Sequence, residues 1–119
     1  MAKKASEETA VAVTKAYDVV LWLTNKVQHF PRSNRFTLGE RLVNAAIDLL
    51  MTLVEAAYTA EKSALLRQAS LKTNGLRYLL RLAKDLHLMN VEAYGFSTER
   101  VEEIGRMIGG WQKSIQQRS

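Results

Sequence analysis

A single proline, Pro31, interrupts 119 residues whose apolar positions otherwise recur at steps of three and four. That spacing is the period of a helix and not of a strand, so the chain is read as all-helical. The first helix is expected over residues 6–29, with Val13, Tyr17, Val20, Leu23, Val27 and Phe30 on its apolar side. Its polar start is expected to fray, which leaves a flexible segment, residues 1–9, ahead of one domain over residues 10–116.

Proline lacks an amide hydrogen and disfavours helical geometry in the residue before it, so a loop is expected around residues 30–36. Thr37, with Glu40 three residues on, has the spacing of a capping box and predicts a second helix to about residue 58. Its polar stripe would be Arg41, Asn44, Asp48, Thr52 and Glu55. After a break at residues 59–61 a third helix is expected to run to about residue 89. Asn90 then begins a turn loosened by Gly95, with a short helical piece over residues 91–96. Ser97 or Thr98 would cap the last helix, which buries Val101, Ile104, Met107, Ile108, Trp111 and Ile115 and ends near residue 116. Four helices with short connections must alternate up and down, which predicts an antiparallel four-helix bundle.

A content of 47% hydrophobic and 24% charged residues suits one globular domain. With no cysteine, disulfides and thiolate metal sites are excluded, and folding must rest on packing. The start of the chain lacks the apolar stretch of a secretion signal, and no run approaches the roughly 18 apolar residues of a membrane span. A cytoplasmic, non-membrane protein is expected.

The third helix carries the charge pattern with most functional content. Arg67, Arg77, Arg81 and Lys84 fall on one side, with Ser70 and Asn74 inside the same arc of about 100°. Leu65, Leu71, Leu76, Tyr78, Leu82 and Leu86, with their neighbours, sweep roughly 200°, twice the stripe of about 100° that one packing partner needs. The helix is therefore expected to be buried twice, once in the bundle and once against another subunit, leaving a positive ridge. An exposed helix face often carries charge only for solubility, but such faces usually mix signs four apart, and here Asp85 lies only at the edge. A formal net charge of +5 also favours an anionic partner. Arg32 and Arg35 add two cations in the proline loop. Arginine suits phosphate because its planar guanidinium donates paired hydrogen bonds. Lys72 falls inside the apolar arc and is expected to snorkel to the rim.

Catalytic patterns are missing from the sequence. His29 and His87 stand without the spacing of a metal site, the carboxylates are not paired inward, and no phosphate-binding glycine loop occurs. His29 reads as a helix-end residue and His87 as a partly buried one. A non-enzyme without cofactor or metal is expected. Gly105, Gly109 and Gly110 each cost a helix about 1 kcal/mol against alanine, which predicts the close approach of a neighbouring helix or ring.

Four segments together carry a family resemblance: residues 30–41 (FPRSNRFTLGER), 44–50 (NAAIDLL), 80–86 (LRLAKDL) and 103–111 (EIGRMIGGW). The chain resembles the accessory variability determinant (Avd) proteins of diversity-generating retroelements. The resemblance implies a four-helix bundle assembled into a barrel-like homopentamer, without catalytic activity. It further implies a positive surface that engages the retroelement reverse transcriptase and nucleic acid, the template RNA and its cDNA, during mutagenic retrohoming. The binding residues Arg67, Arg77, Arg81, Lys84, Arg32 and Arg35 rest on the ridge pattern alone. A sister group, the bundle proteins encoded in intervening sequences of large-subunit ribosomal RNA, shares the fold and the Phe-Pro turn, but its Ser-Ile-Pro-Ser-Asn-Ile-Ala-Glu-Gly-like stretch is missing here. That alternative ranks second, beside a purely protein-binding module.

Overall fold

In a computed structural model, which describes the backbone of residues 2–118 and the side chains of residues 10–117, four long helices fill the chain. They are α1 (Ala2–Val27), α2 (Glu40–Ala57), α3 (Ser63–Asp85) and α4 (Val91–Arg118). The expected flexible segment, residues 1–9, lies outside the residues whose side chains are described. α1 packs on α2 and α4, and α3 on the same two, so the helices stand in a square in chain order. Cross-helix pairs fix their directions. Lys15 meets Glu103 at 3.0 Å and Trp22 meets Phe96 with ring centroids 5.4 Å apart, so α1 and α4 are antiparallel. The Lys15 ammonium, hydrogen-bonded to Glu103, holds that carboxyl below its ordinary pKa. Lys62 over Trp111 and Lys84 over Tyr94 set α3 antiparallel to α4 in the same way. The up-and-down four-helix bundle is thus present.

The core is a column of small and branched residues: Ala12, Ala16, Val19, Leu23 and Val27 from α1, Leu42, Ala46, Leu49 and Leu53 from α2, Leu66, Leu76 and Leu80 from α3, and Ile104, Ile108 and Trp111 from α4. On α1 this corrects the expected face by part of a turn. Tyr17 is exposed and Val13 and Val20 only half-buried, because Ala12 and Ala16 take the contact line and let the helices approach.

The α1–α2 connection replaces the expected capping box. Pro31 opens one helical turn, Arg32–Asn34, its carbonyl accepting from the amides of Asn34 and Arg35. A π-helical stretch, Arg35–Gly39, then runs straight into α2. The Thr37 hydroxyl hydrogen-bonds back to the carbonyls of Ser33 and Asn34, both at 3.3 Å, so it is not free to cap. Buried Gly39 passes close to the end of α1: a β-carbon there would lie 2.6 Å from Val27 Cγ1 and 3.2 Å from the Asn34 carbonyl oxygen.

At the opposite end, Lys62 Nζ donates to the carbonyls of Ala56 and Thr59 at 2.6 and 2.8 Å, satisfying the end of α2 where its carbonyls lack helical partners. Thr52, expected in the solvent stripe, is buried. Its hydroxyl donates to the Asp48 carbonyl and accepts from Lys72 Nζ at 2.6 Å, so Lys72 ends on α2 with its ammonium partnered.

α3 stops at a Schellman motif, with Leu88 N donating to the Ala83 carbonyl and His87 N to that of Lys84. His87, at φ 61°, holds the left-handed position that glycine usually occupies. It is exposed, contrary to the partly buried place expected for it. Asn90 then caps α4 directly, its Oδ1 accepting from Ala93 N at 2.8 Å. The helix runs unbroken through Gly95, and Ser97, expected as a cap, is buried inside it with its hydroxyl on the Tyr94 carbonyl. Among the described residues no helix is long and apolar enough to cross a membrane.

Candidate nucleic-acid interface

Side chains on α3 divide by angle into three sets. Leu66, Ala69, Thr73, Leu76, Leu80 and Ala83 face the core. Arg77, Arg81 and Lys84 sit on the flank beside α4. Leu71 and Leu82, with Leu86 just past the helix end, point away from the bundle and are exposed, and exposed Tyr78 stands between that face and the flank. The broad apolar arc is therefore two faces, and only one of them is covered within the chain.

The flank beside α4 forms a groove of about 470 Å³ lined by Asn74, Arg77, Tyr78 and Arg81 from α3 and by Tyr94, Thr98 and Glu102 from α4. Each cation is placed differently. Arg77 is half-buried: its Nη1 donates to Asn74 Oδ1 at 2.6 Å, its Nε is buried without a partner, and its Nη2 lies against Gly105, where a β-carbon would come within 2.8 Å. The bare backbone of Gly105 thus makes room for the guanidinium. Lys84 spans to α4, with Nζ 4.8 Å from the centre of the Tyr94 ring. Arg81 is the most open of the three, with 64% of its side chain exposed.

Asp85 is closer to the row than its edge position implied. Its carboxylate lies 3.9 Å from Arg81 Nε and 3.4 Å from Lys84 Nζ. Pairs of this length between exposed groups are worth about 0–1 kcal/mol, so both cations can turn to a stronger anion.

The other sequence-predicted cations are not brought to this groove. Arg67 lies ten residues before Arg77, about 15 Å along the helix, and lines a separate groove of about 170 Å³ with Ser63, Leu66, Gln112, Ile115 and Gln116. Arg32 and Arg35 belong to the α1–α2 connection, on the side of the square away from α3 and α4. Arg35 is half-buried with Nη2 3.4 Å from the Phe30 carbonyl oxygen, whereas Arg32 is exposed. For Gly109 and Gly110, a β-carbon on either would meet nothing within 4 Å among the described residues.

Sequence reasoning missed Tyr94, Thr98 and Glu102, which reach the groove only because α4 lies antiparallel to α3. It placed Tyr78 in the apolar arc to be covered by the bundle or by another subunit; within the single chain the ring is 72% exposed at the groove's edge. Among the described residues no three His, Cys, Asp or Glu side chains cluster as a metal site.

Comparison with known proteins agrees with the resemblance drawn from the four sequence segments. No curated protein matches the chain. A family model described as bAvd-like matches residues 10–115, nearly the whole bundle. The chain belongs to the bAvd-like family.

Proposed function

We propose that this protein is a non-catalytic accessory factor of a diversity-generating retroelement, binding nucleic acid and the reverse transcriptase through its basic surface to support mutagenic retrohoming. Membership of the bAvd-like family is the observation that carries this reading. The geometry supports it: Arg77, Arg81 and Lys84 sit side by side on a rigid helix, two of them half-buried and held by neighbours, so little side-chain entropy remains to be lost on binding. Template RNA is the first ligand, with its cDNA as the second.

Contacts to phosphate release counterions, so affinity for RNA should fall with salt on a logarithmic plot. The slope is about 0.7 per contact on single strands, hence about 2 for the three cations of the row. Fluorescence anisotropy with a labelled RNA between 50 and 200 mM salt measures this. Binding that stays constant over that range overturns the phosphate mechanism.

We further propose a homo-oligomeric ring, pentameric by family resemblance. Ile47, Met51 and Tyr58 at steps of four and seven on α2 and its C-cap, with Leu71, Leu82 and Leu86 on α3 and its C-cap, present apolar rows that are exposed in the single chain. A self-contact between different faces can close into a ring. Light scattering at micromolar concentration should report about five times 13.4 kDa; a single-chain mass overturns the assembly.

A further inference from the structure

We infer that the α3–α4 groove takes an unpaired nucleotide, its base stacked on tyrosine and its phosphate on Arg81 and Lys84. The inference rests on the nucleic-acid reading above and narrows it to single strands. A duplex bound by its backbone needs only a row of cations on a convex surface. Here Arg77 and Arg81 share a groove with two aromatic rings, Tyr78 from α3 and Tyr94 from α4, and Lys84 stands at its end over the Tyr94 ring. Packed helix axes lie about 8–10 Å apart, so the furrow between them admits a splayed base and excludes a double helix. Its volume of about 470 Å³ falls within the roughly 300–1,000 Å³ of sites that hold small ligands. The larger aromatic-lined groove is also the cationic one. The groove between α1 and α4, at Trp22 and Phe96, measures about 280 Å³, and its cation Arg100 already stacks on Phe96 at 4.2 Å.

Glu102 gives the groove a direction. A carboxylate repels phosphate, so the backbone must lie along the Arg81 and Lys84 rim while the base turns toward α4. There Glu102 can accept from an exocyclic amine, as carboxylates accept from cytosine N4. Tyr78 supplies an exposed ring at the mouth. Tyr94, half-buried beneath the Lys84 ammonium, supplies a fixed wall. Stacking of this kind tolerates any base because every base has a π-face.

The test uses the intact protein and a fluorescein-labelled RNA carrying one 2-aminopurine, offered as a single strand and as a full duplex. Tighter binding of the single strand, by at least about tenfold, and quenching of 2-aminopurine are expected. Tyr78→Ala should weaken single-strand binding by about 5- to 150-fold and abolish the quenching, whereas Tyr78→Phe and Tyr78→Trp retain both. The ring is exposed, so thermal unfolding and assembly mass should match the wild type. Wild-type-like binding by Tyr78→Ala, equal or tighter binding of the duplex, or a loss in Tyr78→Phe as deep as in Tyr78→Ala each overturns the inference while leaving nucleic-acid binding in place. A changed assembly mass in Tyr78→Ala overturns it too, by assigning the ring to a subunit contact. Wild-type protein that binds neither form of RNA overturns the broader reading along with this one.

Discussion

Reversing two charges at once, Arg81→Glu with Lys84→Glu, should lower affinity for RNA by at least about 100-fold at 0.1 M salt. Each hydrogen bond to a charged partner contributes about 1.5–3 kcal/mol, and the pair of losses converts to that factor even at the low end. These two positions are preferred to Arg77 because the bundle does not depend on them. Arg77 leans on Gly105 with a buried Nε, so a carboxylate there would disturb α3 against α4 and confuse loss of binding with loss of fold. The charged ends of Arg81 and Lys84 meet Asp85 and, for Lys84, the Tyr94 ring, through contacts worth about 1 kcal/mol or less each. Glutamate is a good helix former, so helicity by circular dichroism should be unchanged. The salt slope should also fall, by about 1.4 on single strands. RNA binding by the double variant within about threefold of wild type would remove the groove from the mechanism and leave Arg67 or Arg32 to explain any affinity.

How far the sequence carried this reading depends on whether a feature is local to one helix. Periods of three and four identified all four helices, and on α4 the expected apolar side was nearly complete: Val101, Ile104, Ile108 and Trp111 are buried, with Met107 and Ile115 half-buried. On α1 the same logic favoured bulky Tyr17 over Ala12 and Ala16, because hydrophobicity ranks size while a tightly packed helix pair selects smallness. Breakers and caps misled for a related reason. Gly95 and Ser97 resemble a helix boundary, yet Asn90 had already capped α4 and packing carried the helix through. Asn74-Gly75, a dipeptide favoured in hairpin turns, sits inside α3, where the core face on either side decides the conformation. The cationic row was legible because it lies on one helix. Its companions Tyr94 and Glu102 were not, since no pattern within α3 reports what α4 places opposite.

Trp111→Ala should be the most damaging single truncation in the bundle, costing about 3–5 kcal/mol. The side chain is 2% exposed and closes the end of the core where α4 meets the start of α3. Gly109 and Gly110 precede the tryptophan, each about 1 kcal/mol worse than alanine in a helix and each with nothing within 4 Å of a β-carbon among the described residues, so burial of Trp111 with Ile108 and Ile115 helps to hold the last turns of α4. Its ring also underlies Lys62, 5.7 Å away, whose ammonium satisfies the final carbonyls of α2. Losing the ring therefore loosens three helix ends together. At about 4 °C per kcal/mol for a domain of this size, the midpoint of thermal unfolding should fall by roughly 12–20 °C. Scans of wild type and variant must be made at equal protein concentration, because assembly raises apparent stability by mass action. A fall of less than about 4 °C would mean that α4 is anchored elsewhere. The end of the bundle would then owe its order to contacts between chains.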